Sequence, residues 1–225
     1  MSNYILKYGR DDRVKYISHL DFMRCFHRTV RRTDLQFIFS QGFNPHPVMT
    51  IAQPMSVGVT SECEFMKVGF EDGFKPREIV EILNKAFPPG FKAYSCFKLS
   101  AKEIDITKID KALYIVELEH EGKADIDAFL ANSELIVPKK TKSGIKDSDI
   151  RPHIFDIKEI SDENGVLTLE MLISVGSSYN LKPETVADAM DKYCEGFKRG
   201  FMNIHRKAMY GGTVERMKNI YSNPR

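Results

Sequence analysis

Apolar and polar residues alternate through YILKYGRDDRVKYIS near the start of the chain, which predicts a strand-like opening. From residues 20–32 the spacing becomes helical. Leu20, Met23, Phe26, His27 and Val30 share one helical face, and Arg24, Arg28, Arg31 and Arg32 lie largely on the other. The stretch LQFIFSQGFNPHPVMTIAQPMSVGV is extended but interrupted by Gly42, Pro45, Pro47 and Pro54. Proline donates nothing to a sheet ladder, so a strand, a loop and a second strand piece are expected there. A strand follows over residues 63–71, then a helix over 75–87 with Pro76 in its first turn and Pro88, Pro89 and Gly90 at its end, then a strand over 91–99. Residues 1–100 therefore read β-α-β-β-α-β, the split pattern of a ferredoxin-like unit.

The pattern returns in the second half. Residues 112–120 read as a strand, 125–132 as a short helix, and 135–137 as the opening of a strand interrupted by a basic loop. Residues 155–160 and 166–175 form a hairpin around Asp162, Asn164 and Gly165, 183–194 a helix beginning at Pro183, and 201–210 a last strand. The expected architecture is α+β, with two tandem ferredoxin-like units over 1–100 and 112–210, a linker over 101–111 and a basic tail over 211–225.

With 225 residues, 42% hydrophobic and 28% charged, the chain has the composition of a globular protein rather than of a disordered or collagen-like one. No apolar run approaches the roughly 18 residues that span a bilayer, and MSNYILKYGRDD lacks the apolar stretch of a signal peptide, so a cytoplasmic protein without membrane contact is expected. The net charge of +2 conceals a segregation. Residues 1–32 carry eight Lys/Arg against three Asp/Glu, residues 192–225 eight against two, and residues 101–135 four against nine. Basic ends brought together would favour a polyanion, nucleic acid first.

Cys25, Cys63, Cys96 and Cys194 lie far apart, with no closely spaced Cys or Cys/His pair, so neither a metal site nor a cofactor is expected and the cysteines read as small buried hydrophobes. No nucleophile elbow, HExxH, dinucleotide fingerprint or Walker loop occurs. Three groups remain. In SQGFNPHP, Gly42 permits a special turn while Pro45 and Pro47 stiffen the backbone around His46, presenting Gln41, Asn44 and His46 at low entropic cost. In SHLD, Ser18 or His19 suits a helix N-cap and Asp21 the first turn; should His19, Asp21 and His46 converge, they would form an acid/base group or a three-ligand metal site, the latter disfavoured because no ligand pair has i, i+4 spacing on a helix. The third is KKTKSGIK followed by DIRPH, where Lys139, Lys140, Lys142 and Arg151 surround small residues and suit phosphates. Near the end, cations including Arg206 interleave with aromatics, a pattern for base stacking beside phosphate neutralisation.

The segments YISHLDFMRCFHRTVRR, FSQGFNPHP and QPMSVGV, in that order, resemble the radical SAM-linked protein domain family, a bacterial family of unknown function, and KKTKSGIKDSDIRP and IHRKAMYG are similar to its second half. The chain resembles the stand-alone form, because the radical SAM cysteine motif is absent. Val48 stands where that family often carries a basic residue. The resemblance implies a radical SAM enzyme as partner and points to RNA. The expectation is an RNA-binding accessory protein, serving tRNA or rRNA modification or maturation, in which Arg24, Arg28, Arg31, Arg32, Lys139, Lys140, Lys142, Arg151 and Arg206 meet phosphates and Gln41, Asn44 and His46 meet bases or the enzyme. The alternatives are a metal-independent RNA-processing enzyme using His46 and His19, and a protein-only scaffold for the radical SAM partner.

Overall fold

The computed structural model describes residues 2–99, 106–141, 144–211 and 218–219. The chain divides into two compact units, the first reaching Ile109 and the second beginning at Asp110. Both are mixed α+β.

The first unit contains β1 (Ser2–Arg10), α1 (His19–Val30), β2 (Met49–Ile51), β3 (Val59–Phe70), α2 (Pro76–Ala86) and β4 (Phe91–Lys98). Its sheet runs β4-β1-β3-β2 with every pair antiparallel. The strand expected to continue past Arg10 stops there. Asp11 caps a 3-10 turn over Asp12–Val14, and the Arg10 guanidinium donates to the carbonyls of Val14, Lys15 and Ile17 at 2.8 to 2.9 Å, gathering the connection to α1. Helix α1 begins where Ser18 Oγ accepts from the Asp21 N–H. Its period buries Phe22, Phe26 and Val30 and leaves Arg24 and Arg28 exposed.

An aromatic seam fills this core. Phe22 stacks on Tyr8 at 4.8 Å between ring centroids and meets Phe91 at 5.2 Å; Phe26 meets Phe87 at 6.0 Å and Phe37 at 6.1 Å; Phe37 stacks on Phe70 at 5.7 Å. Of the 35–59 stretch, expected as a strand, a loop and a second strand piece, residues 35–48 make only isolated bridges, Phe37 to Phe70 and Phe39 to Pro47, and the second piece is β2, paired with β3.

The second unit contains β5 (Lys111–Glu121), α3 (Ile126–Ala131), β6 (Ile136–Thr141), β7 (Gly144–Asp149), β8 (Ile154–Glu163), β9 (Val166–Ser174), α4 (Pro183–Tyr193), β10 (Lys198–Gly211) and β11 (Lys218–Asn219). Its sheet order is β10-β5-β9-β8, again antiparallel, with β11 on β10. The β8–β9 turn is made by Asn164 and Gly165, both at positive φ, as a two-residue hairpin of right-handed strands requires. The interrupted strand anticipated after residue 135 is instead a two-stranded hairpin, β6–β7, paired apart from the unit's sheet.

Replacing Phe26, which is fully buried and holds α1 on the seam, with alanine is expected to cost about 3 to 5 kcal/mol. Arg28→Ala on the opposite face should stay within about 0.5 kcal/mol. Urea unfolding of both variants checks this, and equal midpoints would refute the assigned faces.

Candidate nucleic-acid interface

The outer face of α1 and its C-terminal end are basic. Arg24, Arg28, Arg31 and Arg32 are all exposed. Arg24 pairs with Asp21 at 3.0 Å. Arg32 donates to the carbonyls of Arg28 and Ala86, leaving its charge uncompensated. Arg28 and Arg31 make no side-chain hydrogen bond or ion pair among the described residues. Four guanidiniums thus face solvent with one carboxylate between them. Part of this placement is structural, since cations suit the last turn of a helix.

Asp21 accepts from Ser18 Oγ at 2.7 Å and from Arg24. The Ser18 hydroxyl first, and Arg24 second, hold its carboxyl below the usual carboxylate range. His19 instead lines a cleft with Tyr8, Arg10, Phe22, Ile51, Pro54, Met55 and Glu64. Arg10 and Glu64 are buried charged residues of that cleft. Neither Asp21 nor His46 lines it. His46 sits in the 40–47 loop, where its Nδ1 lies 3.0 Å from Ser40 Oγ and 3.4 Å from the Asn44 carbonyl. Among the described residues no hydrogen bond or ion pair joins His19, Asp21 and His46: Asp21 is engaged by Ser18 and Arg24, and His46 by Ser40 and Asn44.

In that loop the Ser40 N–H donates to the His46 carbonyl at 2.8 Å and the His46 N–H to Ser40 Oγ at 3.1 Å, closing the neck. Gln41, Asn44 and His46 are exposed. Phe43, inside the SQGFNPHP motif but not among its expected contact residues, is fully exposed.

In the second unit the β6–β7 hairpin carries the lysines of KKTKSGIK. Its register sets Lys139 across from Lys146 and Lys140 across from Ile145, while Lys142 lies outside the described residues. Like charges at one rung weaken a hairpin, so the root has to hold it. Tyr193 Oη accepts from the Ile136 N–H at 2.9 Å, Lys192 Nζ donates to the Ile136 carbonyl, Ser148 Oγ lies 3.1 Å from Tyr179 Oη, and Asp149 accepts from the Leu135 and Arg151 N–H groups. The Tyr179 ring is stacked on His153 at 3.4 Å.

Two expected phosphate contacts are corrected. Arg206 is buried and donates from Nε to Tyr114 Oη at 3.1 Å, because its place on β10 faces inward. Arg151 is half-buried and donates to the carbonyls of Leu130 and Ile154, tying the end of α3 to β8. The remaining interleaved cations of β10 are answered by acids: Lys198 by Asp191, Arg199 by Asp188 at 2.7 Å, and Lys207 by Glu170. That segment is a charge-paired strand.

Three cysteines are buried and Cys25 is half-buried. Burial pushes the Cys96 thiol up to about 12. Among the described residues no three His, Cys, Asp or Glu side chains gather as a metal ligand set, and no helix is long and apolar enough to cross a membrane.

Residues 3–183 match the family described as "Uncharacterized protein conserved in bacteria (DUF2344)", and the chain belongs to that family. No curated protein matches it. Among solved structures, a chain of the "Crystal Structure of a Cbf5-Nop10-Gar1 Complex" is similar over 92% of this chain at 6% identity with a TM-score of 0.51. This chain spans 48% of that one, and the likeness is of fold alone. The "Crystal Structure of an Unknown Protein from Galdieria sulphuraria" is 12% identical over 91% of this chain and 98% of that one, with a TM-score of 0.26.

Because the Asp21 carboxyl is held low, its stabilising effect is complete above its ordinary pKa of 3.8 and is lost as pH falls through the lower folded value. Asp21→Asn lacks this component. The difference in Tm between wild type and Asp21→Asn is expected to shrink as pH drops from neutral to below 3.8; a gap independent of pH would contradict the assignment.

Proposed function

We propose that this family member is an RNA-binding accessory protein built on two ferredoxin-like units, which presents a structured RNA to a radical SAM modification enzyme. The observation that carries the RNA reading is the outer face of α1, where Arg24, Arg28, Arg31 and Arg32 stand exposed and, among the described residues, Asp21 alone forms an ion pair with them. Guanidiniums on a rigid helix neutralise phosphates at small entropic cost and release counterions. The hairpin of Lys139, Lys140 and Lys146 adds a second basic element, fastened at its root by Tyr193 and Asp149.

The ferredoxin-like reading rests on the strand orders β4-β1-β3-β2 and β10-β5-β9-β8, each with helices after the first and third strands of the pattern. In the second unit the β6–β7 hairpin is inserted ahead of the second strand. The tie to a radical SAM enzyme, and to tRNA or rRNA, rests on the resemblance of YISHLDFMRCFHRTVRR and SQGFNPHP alone. An enzyme that pairs His19 with His46 has less support, since only His19 lines the cleft.

Filter binding of total RNA over a salt series tests the reading. The affinity is expected to fall steeply with salt, and Arg28→Ala with Arg31→Ala should flatten the log–log slope by about 0.7 for each phosphate no longer neutralised. Absence of binding at low salt, or binding indifferent to salt, would overturn it.

A further inference from the structure

The 40–47 loop holds a phenyl ring where the hydrophobic effect gives it no reason to be. Phe43 has a relative exposure of 112%, more than any other large apolar side chain described. Phe39, at the base of the same loop, is 47% exposed. The exposure of Phe43 is not slackness of the chain. The neck is closed by the paired Ser40 and His46 backbones, Ser40 Oγ engages His46 twice, and Val48 N–H donates to the Ile38 carbonyl at 2.8 Å below. Beneath the neck, Phe37 is locked between Phe26 and Phe70. Gly42 turns the chain at φ +128°, a conformation closed to most side chains, immediately before Phe43. The ring is thus displayed from a rigid stalk.

The loop that carries it also carries three exposed polar side chains, Gln41, Asn44 and His46. Among the described residues, no hydrogen bond engages the side-chain amides of Gln41 or Asn44 or the Nε2 of His46, whose Nδ1 is already occupied. Two amides and an imidazole nitrogen offer donors and acceptors in a form suited to the edge of a heterocycle. From Leu35 to Ser61 the sequence holds no Asp, Glu, Lys or Arg, so this segment supplies no cation of its own to a phosphate. Two exposed phenyl rings, Phe43 and Phe39, are a small apolar area for a protein interface.

The geometry points to Phe43 as a stacking platform for one unpaired RNA base, with Gln41, Asn44 and His46 reading that base's edge. Unstacked bases in loops and bulges are bound in this manner, by an aromatic face together with edge hydrogen bonds. The inference rests on the RNA reading above and sharpens it: α1 and the β6–β7 hairpin supply affinity for any phosphate backbone, and the 40–47 loop restricts the target to RNA with an unpaired nucleotide.

The test uses the full chain and three RNAs: a stem-loop, a blunt duplex of the same length, and the stem-loop with abasic loop nucleotides. Anisotropy titrations at fixed salt should show a preference for the intact stem-loop. Phe43→Ala is expected to weaken stem-loop binding about tenfold, to leave duplex binding and the salt slope unchanged, and to bind intact and abasic loops alike. Phe43→Trp should retain the preference. Since the Phe43 ring is fully exposed, Phe43→Ala removes no packing. Stem-loop affinity unaltered in Phe43→Ala, or an equal loss on the duplex, overturns the inference and leaves the tip to a protein contact, while a steep wild-type salt slope would still uphold RNA binding. No binding of wild type to any of the three would overturn both.

Discussion

The aromatic seam of the first unit is the constraint on which its surface depends. Phe22 and Phe26 have one way to leave water, against Tyr8, Phe91, Phe87 and Phe37. Each such aromatic pair contributes about 0.5 to 1.5 kcal/mol beyond burial itself. Once they are seated, the rotation of α1 about its axis is determined, and Arg24 and Arg28 have no direction left but outward. The same seam holds Phe37 against Phe70, and Phe37 is the last deeply buried residue before the 40–47 loop. One packing arrangement thus orients the arginine face and anchors the stalk of Phe43.

The β6–β7 hairpin solves a different problem, because two strands with lysines at facing rungs have little core of their own. An isolated two-stranded hairpin is marginal in water. Polar fastening at its root replaces packing: the Tyr193 hydroxyl and Lys192 ammonium on Ile136, the Tyr179 hydroxyl on Ser148, and Asp149 on two backbone N–H groups. Strand β10 pairs its surface cations locally, with Asp188, Asp191 and Glu170. Positive charge without a nearby acid is consequently a property of particular elements. It is not spread over the whole unit, and the net charge of +2 conceals it.

Elements whose apolar period matched their secondary structure were legible from the sequence. Helix α1 falls within a residue or two of the expected span, and the Asn164-Gly165 turn was signalled by its own chemistry. The hairpin was not, since in KKTKSGIK nothing alternates between apolar and polar; its pairing comes from register and from tyrosines more than thirty residues away. Arg206 was misjudged for a related reason. An arginine between His205 and Lys207 looks like surface charge, but period-2 alternation along β10 turns it toward Tyr114. His19, Asp21 and His46 are polar residues at special backbone positions, and such residues are chosen as often by caps and turns as by chemistry. Ser18 with Asp21, and Ser40 with His46, show the capping and turn roles directly.

In the proposed reading, charge and discrimination belong to different parts of the first unit, and there is a physical reason for keeping them apart. Coulombic attraction to a phosphate backbone is long-ranged, tolerant of register and blind to sequence. Had the 40–47 loop carried cations of its own, every passing phosphate would compete for its tip, and an aromatic ring there would add little selectivity. An uncharged stretch from Leu35 to Ser61 leaves the tip attractive only to a partner that can stack and hydrogen-bond at once. Rigidity completes the argument: because the seam and the Ser40–His46 closure fix the loop before binding, the entropy of ordering it does not have to be recovered from a single stacked ring.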